Sequence, residues 1–258
     1  MTELLAGIMG FAEEAVLQGA IVFLRVGAMM AVLPAFGERS VPGRVRLALA
    51  LAFTGIVAPA VAPETANALA EGLRPLAILG SEVLVGLLLG LAIRLFVLAL
   101  QTAGSIAAQA TSLAQIFGNV IVDPQPAMAH VMIVAGLAIA VMLGLHVKVV
   151  EFVVLSYAMF PVGHLPGASD VMGWGVSQTG RMFALAFTLA SPFVIVSLLY
   201  NLALGVINRA MPQLMVAFVG APAITWGGVG LLMLVTPAIL TSWSAAFDAT
   251  LANPWAAP

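Results

Sequence analysis

Apolar residues run along this chain in long blocks, roughly 15–35, 47–62, 76–100, 128–145, 147–162, 182–207 and 214–246, interrupted mainly by Gly and Pro. Membrane-spanning strands would show alternating segments of about ten residues, and none is found. Blocks of Leu, Ala, Met and Gly of this length predict helices instead. At about 20 residues per span, the chain has room for roughly five to eight of them. The expected fold class is all-α, a polytopic integral membrane protein of kinked helices and helical hairpins. Residues 1–258 are expected to form a single membrane domain with no separate soluble domain.

Several blocks make poor standard spans. Block 47–62 is short before Pro63, and blocks 128–145 and 147–162 must turn around Gly144 and His146 with almost no loop. Pro192 interrupts block 182–207, where it removes a backbone hydrogen bond and crowds the carbonyl of Thr188. Block 214–246 carries Pro222, Gly227, Gly228, Gly230 and Pro237. Broken helices persist at membrane depth only where other protein or a water-filled cavity satisfies the freed backbone groups. The pattern therefore points to a chain packed against protein, with an ordinary bundle of Pro-kinked spans as the simpler reading.

Charge is scarce. Nine Lys and Arg and eleven Asp and Glu make 8% of the chain, against about 25% in soluble domains. That is too little to cover a soluble surface, and a mean hydropathy of +1.14 agrees with a membrane protein. A net charge of −2 provides no basic field for nucleic acid. With no Cys, disulfides, thiolate metal sites and a Cys nucleophile are excluded. Glu3, Glu13 and Glu14 precede the first cation, Arg25, so a cleaved signal peptide is not expected. The segment 37–46, with Glu38, Arg39, Arg44 and Arg46, is the one clear basic stretch. The positive-inside rule places it in the cytoplasm, with the N-terminus and 63–74 on the opposite side.

Catalytic constellations are weak. His130, His146 and His164 are scattered without a metal-ligand spacing. Ser156 lacks the Gly-flanked elbow of a hydrolase nucleophile, and no P-loop is present. No enzymatic activity, metal or cofactor is expected. Ionisable residues inside apolar blocks stand out more, because they are costly there. Arg25 lies in the first block, Glu82 and Arg94 in the third. Glu82 and Arg94 are separated by about 18 Å and about 120° on a helix, so each needs a partner elsewhere. A transport path is one use for such charges; ion pairing between helices or subunits is the plainer one. Gly86 and Gly90 follow Glu82 at four-residue steps and would let another helix approach closely. Asn201, Gly205, Asn208 and Arg209 form a polar stripe that runs into Met211-Pro212-Gln213.

That last stretch, from Asn201 to Gln213 and on to Gly220-Ala221-Pro222, resembles the signature of the FliR/SpaR/YscT family, membrane proteins of the type III secretion export gate. The likeness continues in order along the chain. It takes in Arg25, Pro34-Ala35-Phe36-Gly37, Val41-Pro42-Gly43-Arg44-Val45-Arg46, Glu82, Gly86, Gly90, Ala103-Gly104, Gln109, Asp123-Pro124, His146, Ser156-Tyr157 and Pro161-Val162-Gly163. It covers about residues 20 to 240. Met215 stands where the family usually has Asn, and Ala223 and Ile224 follow Pro222 where it often has Lys. The stretch from Arg209 to Pro222 resembles the flagellar branch, with the injectisome branch as the alternative.

The resemblance implies an all-helical subunit of a hetero-oligomeric, pore-containing gate in the bacterial inner membrane, within the flagellar basal body. Its implied partners are FliP-like and FliQ-like membrane subunits, FlhB-like and FlhA-like export components, membrane lipid and unfolded polypeptide substrates, with no nucleic acid. Residues expected to serve assembly or the pore are Arg25, Pro42, Arg44, Glu82, Gly86, Gly90, Asn201, Gly205, Arg209, Pro212, Gln213, Gly220 and Pro222. Arg25, Glu82 and Arg209 are expected to pair with neighbouring helices or subunits. A small-solute secondary transporter would also carry broken helices and buried charge, but no inverted repeat is visible in the sequence. An intramembrane enzyme would need a recognisable nucleophile–base or metal set.

Overall fold

The computed structural model describes residues 2–37, 41–72, 74–111, 127–211 and 216–252. These form α1 (Thr2–Val32), α2 (Gly43–Ala60), α3 (Ala62–Ala70), α4 (Pro75–Thr111), α5 (Ala127–Met142), α6 (Leu145–Met159), α7 (Ala168–Ala210) and α8 (Val216–Ala252). No strand occurs among the described residues. The fold is all-α. Among the described residues, five helices are long and apolar enough to cross a membrane, or six if α5 and α6 together make one span.

Local chemistry explains the joints. Pro63 opens α3 rather than simply ending α2, because a first helical turn needs no donor from it. α5 and α6 are separated by a break at Gly144, whose φ of 80° falls in the left-handed region that glycine enters freely. The turn after α1 is tight: Ala35 has φ 67°, and the Gly37 amide donates to the Leu33 carbonyl at 2.6 Å. α4 continues past its apolar block, through Gln101, to Thr111.

The prolines inside the later blocks do not break them. α7 runs unbroken through Pro192, and α8 through both Pro222 and Pro237. At Pro192 a side chain takes over the lost bond. The Ser191 hydroxyl donates to the Thr188 carbonyl at 2.8 Å, the group that Pro192 leaves without its amide. The Thr236 hydroxyl bonds the Leu232 carbonyl, one residue before the Met233 carbonyl that Pro237 leaves without its amide. Local Ser and Thr hydroxyls are a common means by which membrane helices keep proline.

The chain divides into two compact units. Residues 1–94, 144–176 and 250–258 form one, and residues 95–143 and 177–249 the other. In the first, α1 buries Val22, Val26, Met29 and Met30 along one face, and Leu33 just beyond it is buried as well. α6 contributes Leu145, Val149, Phe152 and Val153, a spacing that places them on one side of a helix. In the second unit, Gly104 on α4 abuts the backbone of Ala129 on α5, and Gly136 abuts Leu100. Trp243, only 1% exposed, donates its indole N–H to the Phe96 carbonyl at 2.8 Å. It also stacks on Phe247 with centroids 5.1 Å apart.

α7 has 43 residues. At about 1.5 Å per residue it is about 64 Å long, twice the roughly 30 Å hydrocarbon thickness of a bilayer. From Leu198 to Ala210 this helix is exposed all round, apart from half-buried Tyr200 and Leu204.

Candidate functional site

A buried polar constellation lies inside the first unit, where α1, α4 and α6 meet. Arg25 is fully buried, as is Glu82. Nε of Arg25 donates to Oε2 of Glu82 at 2.8 Å, and Nη2 donates to Oε1 at 2.9 Å. This is the two-pronged geometry in which a guanidinium matches a carboxylate best. Nη1 donates to Oγ of Ser156 at 3.0 Å, and Nη2 donates a second bond to the Phe160 carbonyl at 2.8 Å. The Ser156 hydroxyl in turn donates to the Val153 carbonyl at 2.6 Å. The Tyr157 ring lies 3.7 Å from the guanidinium carbon, close enough for a cation–π contact.

Four of the five guanidinium N–H groups are thus satisfied within one chain, and the pair is electrically neutral. Burial is tolerable for that reason, since an unpaired charge at this depth would cost several kcal/mol. Guanidinium groups hold their charge and make fixed forks rather than proton carriers. The cluster therefore acts as a pin that fixes three helices. The Tyr157 hydroxyl is buried without a hydrogen-bond partner among the described residues.

Two glycines bring the helices close enough. A Cβ on Gly86 would collide with the Arg25 carbonyl oxygen and lie 2.9 Å from the Ala28 side chain. A Cβ on Gly90 would lie 2.7 Å from the Met29 carbonyl oxygen and 3.2 Å from the Val32 side chain. Farther on, Nη1 of Arg94 reaches the Val32 carbonyl at 3.4 Å, where a cation suits the end of a helix. The contacts 25 with 82, 28 with 86, 29 with 90 and 32 with 94 advance together, so α1 and this part of α4 run parallel. The glycine pair serves packing inside the chain.

The other expected residues are placed apart from this cluster. Pro42 is the exposed N-cap of α2, its carbonyl accepting from the amides of Val45 and Arg46. Arg44 is exposed on the first turn. In the second unit Asn201, Gly205, Asn208 and Arg209 are all exposed on the far end of α7. Gly220 is buried, and its carbonyl accepts from the Tyr200 hydroxyl at 2.7 Å. Pro222 is exposed on α8. Pro212 and Gln213 lie outside the described residues, as do Glu38, Arg39, Met215 and the Asp123-Pro124 pair.

Sequence reasoning did not foresee that Ser156, Tyr157 and the Phe160 carbonyl complete the shell of Arg25. Nor did it foresee the bond from Tyr200 to Gly220. A faint signal existed, since Arg25 and Glu82 are opposite charges each alone on an apolar face. Among the described residues no three His, Asp or Glu are grouped as metal ligands.

Comparison with known proteins bears on what such a pinned, apolar chain is. The family described as bacterial export proteins, family 1, matches residues 16–250. The chain belongs to this export family. Among its relatives is the flagellar biosynthetic protein FliR of Caulobacter vibrioides, 34% identical over 233 residues, 87% of this chain and 90% of that one. FliR of Escherichia coli is 29% identical over 221 residues, covering 84% and 83% of the two chains. FliR of Bacillus subtilis is 29% identical over 210 residues, covering 78% and 79%. Within the export family match fall both the Arg25–Glu82 pin and the exposed stripe from Asn201 to Arg209.

Proposed function

We propose that this export-family chain is a subunit of the flagellar type III export gate in the bacterial inner membrane, within the basal body. It forms part of the conduit that passes unfolded export substrates and is needed to build the flagellum. Its direct partners are FliP-like and FliQ-like membrane subunits, with FlhB-like and FlhA-like components acting on the assembled gate. Its role is structural, with no catalytic step of its own.

The observation that carries this reading is the far end of α7. A helix twice the thickness of a bilayer core leaves Leu198, Leu199, Leu202 and Val206 more than 60% exposed. The same end exposes Asn201, Asn208 and Arg209. Lipid tails satisfy the leucines but not the amides or the guanidinium. A protein neighbour satisfies both, and a long helix that exposes polar and apolar residues together fits a helical assembly. Family membership and the flagellar relatives support the flagellar export gate as that assembly.

Co-purification tests it. The tagged chain, expressed with its neighbouring membrane genes and extracted in mild detergent, is expected to bring down FliP-like and FliQ-like subunits. Arg209→Ala is expected to lose that complex and abolish swimming while the chain itself still accumulates. A stable monomer with no such partners, or normal swimming in the Arg209→Ala strain, overturns the reading.

A further inference from the structure

The outer end of α7 meets α8 at Gly220. Between Leu198 and Ala210 only Tyr200 and Leu204 are half-buried, and both lie against that glycine. The Tyr200 hydroxyl donates to the Gly220 carbonyl at 2.7 Å. A Cβ added at Gly220 would lie 3.0 Å from the Leu204 side chain and 3.1 Å from the Tyr200 hydroxyl. The missing side chain is what lets the phenol come so near the α8 backbone.

The two contacts constrain the helices differently. Leu204 against Gly220 is apolar and has no preferred direction. The hydroxyl bond is directional and holds only at about 2.5–3.0 Å. A carbonyl has two lone pairs, so this acceptor need not leave the α8 ladder to take a second donor. Packed helices step past one another by whole turns of about 5.4 Å, and a step of that size breaks the bond. It also carries Arg209 the same distance relative to α8, more than the roughly 4 Å reach of an ion pair.

We propose that Tyr200 is a positioning residue: its bond to the Gly220 carbonyl fixes the register of α7 against α8, and so the places at which Asn201, Asn208 and Arg209 meet a partner subunit. For the identity of that partner the proposal rests on the gate reading above; the register itself does not depend on it.

The chain has no Cys, so Val206→Cys and Trp226→Cys place two spin labels at exposed positions of α7 and α8. Pulsed electron–electron spin resonance on the full chain in mild detergent reads the distance between them. One dominant distance is expected with Tyr200 present. Tyr200→Phe keeps the ring and loses the bond; it is expected to raise the share of chains at a second distance, displaced by up to about 5 Å, about fivefold. Leu204→Ala is expected to keep the dominant distance, because the hydroxyl remains. Capture of FliP-like and FliQ-like subunits by unlabelled, tagged Tyr200→Phe chain is expected to fall in step with the share in register. A Tyr200→Phe distance distribution identical to that of the parent chain overturns the proposal. So does an equal second distance in Leu204→Ala, which would make the contact adhesive only, and so does full capture by a slipped Tyr200→Phe chain. If the chain with Tyr200 captures neither subunit, the gate reading fails instead, and the distances still decide the register.

Discussion

Replacing Arg25 by Met removes the charge while keeping most of the side-chain length. Glu82, fully buried, would keep its carboxylate with both bonds from Arg25 gone. Leaving one member of a buried pair alone costs about 3–5 kcal/mol. Ser156 and the Phe160 carbonyl lose their donors as well, at about 1 kcal/mol each. Whole-domain stabilities are about 5–15 kcal/mol, so the single variant should fall close to the threshold of folding. The double variant Arg25→Met with Glu82→Leu behaves differently. It buries no charge, and replacing a buried pair by apolar residues is often neutral or stabilising by about 1–4 kcal/mol. Thermal unfolding of the detergent-solubilised chain and its steady-state level in the membrane should therefore show rescue. The single variants should be depleted, the double near wild type, with a coupling of about 3 kcal/mol or more. If Arg25→Met is as stable as wild type, or the double is as poor as the worse single, the cluster is not the pin described above.

Other outcomes follow from the same contacts. Gly86→Val should force α1 from α4 and lower stability by about 1–3 kcal/mol. Gly80→Ala, with open space around its Cβ, should raise it by about 0.5–1 kcal/mol, and a thermal-shift assay compares the two. Trp243→Phe should cost about 1 kcal/mol for the lost bond to the Phe96 carbonyl, with a further loss for the vacated volume, measured by the same assay. Ser191→Ala should destabilise by about 1 kcal/mol in the native background. In a Pro192→Ala background the effect should shrink, because the amide of residue 192 then returns to the Thr188 carbonyl; equal effects in the two backgrounds would deny the compensation.

The sequence carried the helical class well because apolar blocks are long and lack two-residue alternation. The break at Gly144 was visible for a plain reason: two apolar blocks with no loop between them need a residue free to adopt positive φ. Helix continuity at Pro192, Pro222 and Pro237 was not visible. At Pro192 it rests on a neighbouring hydroxyl, that of Ser191, reaching the freed carbonyl, and that is a matter of rotamer. The pairing of Arg25 with Glu82 was hidden for another reason. Periodicity shows which residues share a face of one helix, but not which face meets which helix across 57 intervening positions. Gly86 and Gly90 indicated a close approach, yet the identity of α1 as the neighbour required the fold. At the far end of α7, the stripe from Asn201 to Arg209 was evident in sequence, and the structure adds that every member of it is exposed.

The pin also imposes an order in time. Arg25 emerges during synthesis 57 residues before Glu82 and 135 before the Phe160 carbonyl. At about 5–20 residues per second, the carboxylate follows roughly 3–11 s after the guanidinium, and the last acceptor roughly 7–27 s after it. Through that interval α1 carries an unneutralised arginine, worth about 2.5–3.5 kcal/mol against settling at the bilayer centre. The first helix therefore meets its charge partner only when the fourth has been made, and the three-helix lock closes only after α6.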